Sequence, residues 1–416
     1  MAKKHLLIGS GAAGLSALRQ IRNVSGEDQI KMVTMEDNLP YSPTALPYLL
    51  SGKIEESKLW TVDETFFKET RSELKTGKKL VRIASDRDEV EFEGGERETF
   101  DTLLLATGSE PVLPPINGID TIPVLGFHTL KDYHELVSRL RPKKCQVLIY
   151  GGGLVAMGLA SNLLKRGCGV KVLVRSRILR RYFDATAGAL IARAFVENGA
   201  EIITGHEVER VAAKGKGVEL LLTNGTKVSG NILVNCLGTA PRIDFLQGSG
   251  ISVVKDGILV DGHMRTTRAN IYAAGDVAVS NDFFTHKEGA NAILPSAMEQ
   301  GKIAGANMAG EARDYTGWIS MNVFHFFGKS AAAIGLSNGL EGVDTLTDGS
   351  EQKGHYTKLN VDNGRLVGVQ LVNVPVDPGV LLYLIKNRVD VGPFKEQLLQ
   401  APGEMSRALM TKKERE

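Results

Sequence analysis

Three observations predict an α/β chain with two strand–turn–helix units of one kind and a smaller αβ domain at its C-terminal end. Glycines at positions 9, 11 and 14 follow a short apolar run and open a segment with apolar residues at helical spacing. The same arrangement returns at Gly151, Gly153 and Ala156. Beyond residue 317 the pattern changes to alternating strands such as "NVFHFFGKSAAAIG", followed by helical segments. A length of 416 residues is too great for one ordinary domain and calls for two or three. With 43% hydrophobic residues and 46 glycines, the chain reads as a globular protein rich in tight strand-to-helix turns.

The first unit is "HLLIGSGAAGLSALRQI": a strand over 6–8, a Gly9-x-Gly11-x-x-Gly14 turn, then Leu15, Leu18 and Ile21 on one helical face. Glycines at those places permit a tight turn, close approach of a pyrophosphate to backbone N–H groups, and close helix–strand packing. Gly9, Gly11, Ala13 and Gly14 are therefore candidate dinucleotide-binding residues. A second strand, "QIKMVTME", follows, and Glu36 just past it is the candidate for the ribose hydroxyls. Thr34 occupies the strand end itself, where the acid of such a unit often falls. In "LPYSPTALPYLLSG", residues 39–52, Pro43 and Pro47 break any early helix, and "TALPYLLSG" can then start a short apolar helix. "TFDTLLLATGSEPVLPPI" is a buried strand ending in Ala106, Thr107 and Gly108, then a proline-rich crossover.

The second unit, "CQVLIYGGGLVAMGLASNLLKRGCGVKVLVRS", runs strand, Gly151-x-Gly153-x-x-Ala156 turn, helix, Gly167–Gly169 turn and strand. Val174 ends that second strand, and Arg175, Ser176, Arg177, Arg180 and Arg181 follow. An NAD site ordinarily places an acid at the strand end for the ribose 2′-hydroxyl. A 2′-phosphate needs positive charge and several donors, which arginine supplies in fork geometry. The run therefore leans slightly to NADP(H) over NAD(H), with Arg175, Arg177 and Arg181 as candidate contacts. A solvated face, or a docking patch for an acidic partner, is the alternative for several of these arginines. "NILVNCLG" is a later strand ending near Gly238. "RANIYAAGDVA" ends in Gly275 and Asp276, and "NAILPSAMEQGKIAGANMAG" is a helix with Pro295 near its start.

The ordered set GSGAAG, ATGSEP, GGGLVA and AAGD resembles the two-dinucleotide-binding-domain flavoproteins of the pyridine nucleotide–disulfide oxidoreductase superfamily. The resemblance implies two Rossmann-like domains. A discontinuous FAD domain would span 1–112 and 242–316, an inserted NAD(P) domain 113–241, and a C-terminal αβ interface domain 317–416. It implies FAD in the first unit, with Asp276 on the ribityl chain and Ala297 close to the flavin's pyrimidine edge. The helix entered near Pro295 would present about half a positive charge to that edge. NADH or NADPH would occupy the second unit. Leu154 and Gly158 stand where relatives often carry an aromatic gate and a glutamate, which leaves the nicotinamide pocket more open.

Relatives that reduce disulfides, peroxides or coenzyme A disulfides carry a redox-active cysteine within the stretch corresponding to 39–52. Here Ser42 and Thr44 hold the short polar positions, and there is no cysteine. Thiol exchange requires a thiolate, and a threonine hydroxyl is neither acidic nor redox active. Pro43 and Thr44 are kept as flavin-contacting candidates. No side chain is expected to be catalytic; N5 of the flavin is the redox centre. The expected reaction is hydride transfer between NAD(P)(H) and FAD, with electrons passed singly to or from an iron–sulfur or other redox protein partner. The layout resembles rubredoxin and ferredoxin reductases, and still more the FAD subunits of phenylglyoxylate dehydrogenase and tungsten aldehyde oxidoreductase. A stand-alone NAD(P)H oxidase and a flavin-bound redox sensor are the alternatives.

Composition sets the remaining bounds. A net charge of +2 argues against a long basic face for nucleic acid. Cys145, Cys168 and Cys236 form no CxxC or Cys/His cluster, which argues against a zinc site or a disulfide framework and fits the cytoplasm. His128, His134, His286 and His325 show no metal spacing. Two apolar stretches, 1–18 and Val147–Leu164, imitate a leader and a membrane span, but glycines break both into strand and turn. No membrane span is expected. The interface domain would serve a homodimer or a hetero-complex, and "MTKKERE" at the end reads as a frayed tail.

Overall fold

A computed structural model describes residues 2–140, 145–338 and 340–415. The chain divides into two compact units. The first comprises residues up to Ala45, Ile54–Glu110 and Thr239–Ile319. The second comprises Leu46–Lys53, Pro111–Gly238 and the chain from Ser320.

The first unit is organised by a parallel sheet ordered Ile271–Ala273, Thr102–Leu105, Lys4–Ile8, Gln29–Val33 and Ser72–Lys75. Leu6, Leu7 and Leu103–Leu105 have no exposed surface. Continuous apolar runs of this kind are what strands covered on both faces require. Pairing of Ile8 with both Val33 and Leu105 brings three strand ends together, so the Gly9 turn emerges beside Ala106. The helix Ala12–Val24 packs along Leu294–Met308. Gly301 and Gly305, one turn apart, make that approach possible, because a Cβ at either would strike the backbone of Ala13 or Ala17.

The second unit repeats the parallel plan, in the order Ala200–Thr204, Gly169–Val174, Gln146–Tyr150, Ile232–Asn235 and Val124–Leu125. It also contains an antiparallel sheet ordered Met321–Phe326, Lys329–Gly335, Arg365–Val372, His355–Asp362 and Asp344–Ser350. In Met321–Phe326 the residues Asn322, Phe324 and Phe326 are buried while Val323 and His325 are exposed, the alternation of a half-covered strand. Phe326 stacks on Phe195 of the helix Ala185–Glu197 at 5.7 Å, and Phe324 meets Phe183 edge-on at 6.5 Å. These rings bind the C-terminal sheet to the nucleotide-type sheet within one core.

One sequence expectation changes, and two features appear that the sequence reading did not include. The final residues are not a frayed tail: a helix runs from Pro402 to Arg415. Proline at its first position and a run after Gly403 composed mostly of strong helix formers explain it, and Leu409 anchors it at 4% exposure. The strand Asp344–Ser350 escaped notice because its residues are polar, as suits an edge strand. Cys145 and Cys168, distant in sequence, lie with their sulfurs 3.2 Å apart, since they precede adjacent strands paired at Gln146 and Gly169.

Candidate functional site

The first turn is built by backbone constraint. Gly9 has φ +112°, and a Cβ there would overlap the carbonyl of Ala106; a Cβ on Gly14 would overlap the carbonyl of Gly9. Gly11 differs: its φ is −72° and nothing lies within 4 Å of where its Cβ would project. Gly11 also caps the helix Ala12–Val24 without any side-chain hydrogen bond, and no acid occupies the first helical turn. An open, uncapped helix start of this type carries unpaired N–H groups and a partial positive charge, which suits a phosphate.

The same chemistry recurs at two other helices. Gly153 begins Leu154–Lys165 with no side-chain cap, no first-turn acid and open space at its Cβ position. Ile293 begins Leu294–Met308 likewise uncapped, with Pro295 in the first turn. By contrast, Glu64–Glu69, Leu130–Arg139, Ala185–Glu197 and Pro378–Lys386 are capped by Asp63, Thr129, Asp184 and Asp377. Among the described residues, the two glycine turns and the start at 293 thus open long helices without a side-chain cap, as the short helix Lys395–Gln400 also does, while the four helices just named are capped. The residues present fit two bound dinucleotides.

Around the first turn, Glu36 accepts a hydrogen bond from the Tyr41 hydroxyl at 2.8 Å, which fixes the carboxylate just past the strand Gln29–Val33. Thr107 donates from Oγ1 to the carbonyl of Arg242 at 3.1 Å, and the Arg242 N–H donates to the carbonyl of Gly108 at 3.1 Å. Gly275 has φ +82° and would carry its Cβ against Ala13 at 3.2 Å and Ala297 at 3.7 Å. Gly9, Ala13, Ala106, Gly275 and Ala297 therefore converge. Asp276 follows, half-buried, and accepts from Ser109 Oγ at 2.9 Å. Pro43–Ala45 form one 3₁₀ turn with Pro43 and Thr44 exposed, and the hydroxyls of Ser42 and Thr44 lie 2.7 Å apart.

In the second unit, Gly151 has φ +124° and packs against the carbonyl of Cys236. Gly152 lies under Val174, so the end of the strand Gly169–Val174 borders the turn. Ala156 is fully buried in the helix, and Gly238, at φ +135°, has open space where a Cβ would stand. The basic run separates into two groups. Arg175 and Arg181 are exposed, with Arg175 held to Glu207 at 3.1 Å. Arg177 turns toward the helix Ala185–Glu197: its Nη1 lies 3.0 Å from where a Cβ on Gly188 would stand, and burial lowers its pKa against the opposing pull of Asp184. Its Nη1 has no hydrogen-bond partner.

Cys236 and Cys168 are poor nucleophiles. Burial pushes the Cys236 thiol up to about 12, although the residue as a whole keeps some exposed surface. Burial, and then the neighbouring Cys145, push the Cys168 thiol up as well. The Cys145–Cys168 pair sits at the start of the strand Gln146–Tyr150, whereas the glycine turn sits at its end, roughly 17 Å away along an extended strand. Among the described residues, no group of His, Cys, Asp and Glu could hold a metal ion, and no helix is long and apolar enough to cross a membrane.

Sequence reasoning missed several supporting residues. Gln300, only 1% exposed, accepts from the Gly275 N–H at 2.8 Å and donates to Ser280 Oγ at 3.2 Å. Its position one turn after Ser296 on a recognised helix was the available signal. Arg242 and Tyr41 gave none, because their roles depend on contacts made only in the fold.

Comparison with known proteins agrees with this geometry. Residues 3–309 match the pyridine nucleotide-disulphide oxidoreductase family. The chain is 38% identical over 412 residues to the NADH-dependent phenylglyoxylate dehydrogenase subunit epsilon of Aromatoleum evansii, covering 98% of this chain and 97% of that one. Its fold is similar to a covalent putidaredoxin reductase–putidaredoxin complex, with TM-score 0.89, 23% identity and full coverage of both chains. It is also similar to an engineered water-forming NADPH oxidase, with TM-score 0.84, 22% identity and coverage of 92% and 91%. Members of the family bind FAD and NAD(P)H. The family match spans both glycine turns and the strands between them, so the chain belongs to the pyridine nucleotide–disulphide oxidoreductase family, as an NAD(P)H-dependent flavin oxidoreductase.

Proposed function

We propose that this protein exchanges hydride with NADPH at its flavin and passes electrons singly to or from an iron–sulfur or other redox protein, as the nucleotide-reactive subunit of a larger complex. The observation that carries this reading is the stretch 39–52, where Ser42 and Thr44 pair with each other and no sulfur is present. Without a thiolate there is no covalent relay to a disulfide. The name of the Aromatoleum relative, a dehydrogenase subunit, supports the multi-subunit setting.

When bound, the flavin supplies both two-electron and one-electron chemistry, which no side chain here could provide. The chain's own residues bind and orient. Gly9, Gly11, Ala13 and Gly14 would hold the FAD pyrophosphate and Glu36 the adenosine ribose. Pro43, Thr44 and Ala106–Gly108 would border the flavin, with Asp276 beside Gly275 for the ribityl hydroxyls. The uncapped helix start before Ala297 would stabilise negative charge on the pyrimidine edge. Gly151, Gly153, Ala156 and Gly238 would hold the nicotinamide dinucleotide. The division into an FAD domain over 1–112 and 242–316, an NAD(P) domain over 113–241 and an interface domain over 317–416 belongs to the same reading.

The preference for NADPH rests on the strand end. Val174 offers no carboxylate to a ribose hydroxyl, and exposed Arg175 and Arg181 follow it. The engineered NADPH oxidase carries five substitutions: glycine to alanine, then 18 residues on aspartate to alanine, alanine to arginine and methionine to serine in succession, and proline to arginine five residues after that. Ala156, Val174, Arg175, Ser176 and Arg181 stand here at the same spacing, with valine in place of the second alanine. The Aromatoleum relative is NADH-dependent by name, but overall identity does not report on these few positions, and the local charge is the closer physical warrant.

The test is a comparison of acceptors. The purified flavoprotein with NADPH should turn over rapidly with ferricyanide and negligibly with aromatic or coenzyme A disulfides. Disulfide reduction at a comparable rate would overturn the thiol-free reading. Oxygen consumption as fast as ferricyanide reduction would instead identify a stand-alone oxidase.

A further inference from the structure

The segment 175–184 that carries the arginines is held from outside its own sheet. At its centre Leu179, buried and left-handed at φ +54°, donates its N–H to the carbonyl of Gly152 at 2.7 Å. A leucine persists in that conformation only when its surroundings determine it. The Tyr182 and Phe183 N–H groups return to the Leu179 carbonyl at 3.0 and 3.1 Å, closing a compact turn directly against the glycine turn.

Beyond Leu179, side chains near and within the C-terminal antiparallel sheet seize the backbone. Asn338 donates to the carbonyls of Arg180 at 3.1 Å and Phe183 at 3.4 Å. Ser337 Oγ donates to the carbonyl of Tyr182 at 3.0 Å. Gln370, with no exposed surface, accepts from the Asp184 N–H at 3.0 Å and donates to the Ser337 carbonyl at 2.6 Å. The Tyr356 hydroxyl, 5% exposed as a residue, donates to the Asp184 carboxylate at 2.9 Å, joined by Lys358 at 3.3 Å. Burial and that carboxylate keep the Tyr356 phenol protonated well above its ordinary range. Residues 180, 182, 183 and 184 are thus fixed, and the exposed side chain of Arg181 springs from between them.

We infer that Ser337, Asn338, Tyr356 and Gln370 are positioning residues for nucleotide choice: they hold the 180–184 backbone so that Arg181 is presented, pre-ordered, to the ribose 2′-phosphate. The inference rests on the NADPH reading above. A fixed backbone removes part of the ordering cost that a flexible arginine loop meets on binding, so the grip raises affinity without touching the ligand. It acts mainly on the 2′-phosphate: Leu179 ties the segment to the glycine turn, but that turn has its own support where the Gly151 N–H donates to the carbonyl of Leu173 at 2.9 Å. Apolar packing of the same region is supplied separately by the Phe183–Phe324 and Phe195–Phe326 contacts. Loss of the polar grip therefore leaves the fold standing.

The test uses the FAD-loaded full chain and two probes, 2′,5′-ADP and 5′-AMP, titrated by calorimetry. The double variant Asn338→Ala/Tyr356→Phe should bind 2′,5′-ADP about tenfold more weakly and 5′-AMP less than about twofold more weakly. KM for NADPH should rise by a similar factor, with kcat at saturation held. Asn338→Ala alone, at a half-exposed position, guards against misfolding and should give about a threefold selective loss. Arg181→Ala is measured in parallel. Should Arg181→Ala lose 2′,5′-ADP selectively while the grip variants weaken both probes equally, or neither, the positioning role is wrong and the NADPH reading stands. Should Arg181→Ala show no selectivity, Arg181 does not read the 2′-phosphate and the positioning role is overturned, while the NADPH reading is left to the test at Val174 and Arg175.

Discussion

Gly9→Val should yield a protein purified almost free of flavin. The backbone at Gly9 has φ +112°, a region that a β-branched residue enters only under strain, and any Cβ there overlaps the Ala106 carbonyl. That carbonyl belongs to a chain segment continuing from the buried strand Thr102–Leu105, so it cannot move aside cheaply. Strain and clash together are on the order of 3 kcal/mol, enough to weaken FAD about 100-fold. Gly11→Ala is the informative partner. Its φ of −72° is ordinary and its Cβ would meet nothing in the protein, so the variant should fold with wild-type melting behaviour. Its methyl would instead stand at the open helix start, and FAD affinity should fall. Flavin content by absorbance and FAD titration of the apoprotein check both; a Gly11→Ala protein with full affinity would contradict the pyrophosphate placement.

The second large effect concerns the nicotinamide. Val174→Asp combined with Arg175→Ala should shift the ratio of kcat/KM for NADPH over NADH by about 100-fold toward NADH. Loss of one charge-assisted contact to phosphate accounts for about tenfold or more, and a carboxylate facing the 2′-phosphate for the rest. Arg175 is exposed and its partner Glu207 lies in the connection after Ala200–Thr204, so replacing it should cost little stability. Steady-state rates with each nucleotide and ferricyanide as acceptor provide the check. A shift below about threefold would mean that this strand end does not read the ribose.

These effects were legible in the sequence because glycine turns write their requirement locally. Gly9 and Gly151 each follow an apolar strand directly, and the left-handed backbone they adopt is one that few other residues tolerate. The strand end at Val174 is legible for the same reason: Val174, Arg175, Ser176 and Arg181, which carry its chemistry, lie within eight residues. The grip on 180–184 was not. Tyr356 and Gln370 lie 172 and 186 residues from Asp184, and nothing in either neighbourhood announces a polar contact that only the folded core creates. The cysteine pair hid in a similar way. Cys145 and Cys168 are 23 residues apart, and they meet only because two parallel strands pair in one register. The helix ending at Arg415 contradicts the expectation of a frayed terminus, because Leu409, buried in the fold, anchors it.

The most direct test of the central claim, a flavin that works without a thiol relay, is an anaerobic reductive titration with NADPH. A protein whose only redox group is the flavin should bleach fully at one equivalent of NADPH per bound FAD. It should then return to the oxidised spectrum on addition of two equivalents of ferricyanide. A requirement for two equivalents of NADPH, with a charge-transfer band at the midpoint, would reveal a disulfide sharing electrons with the flavin and would contradict the account.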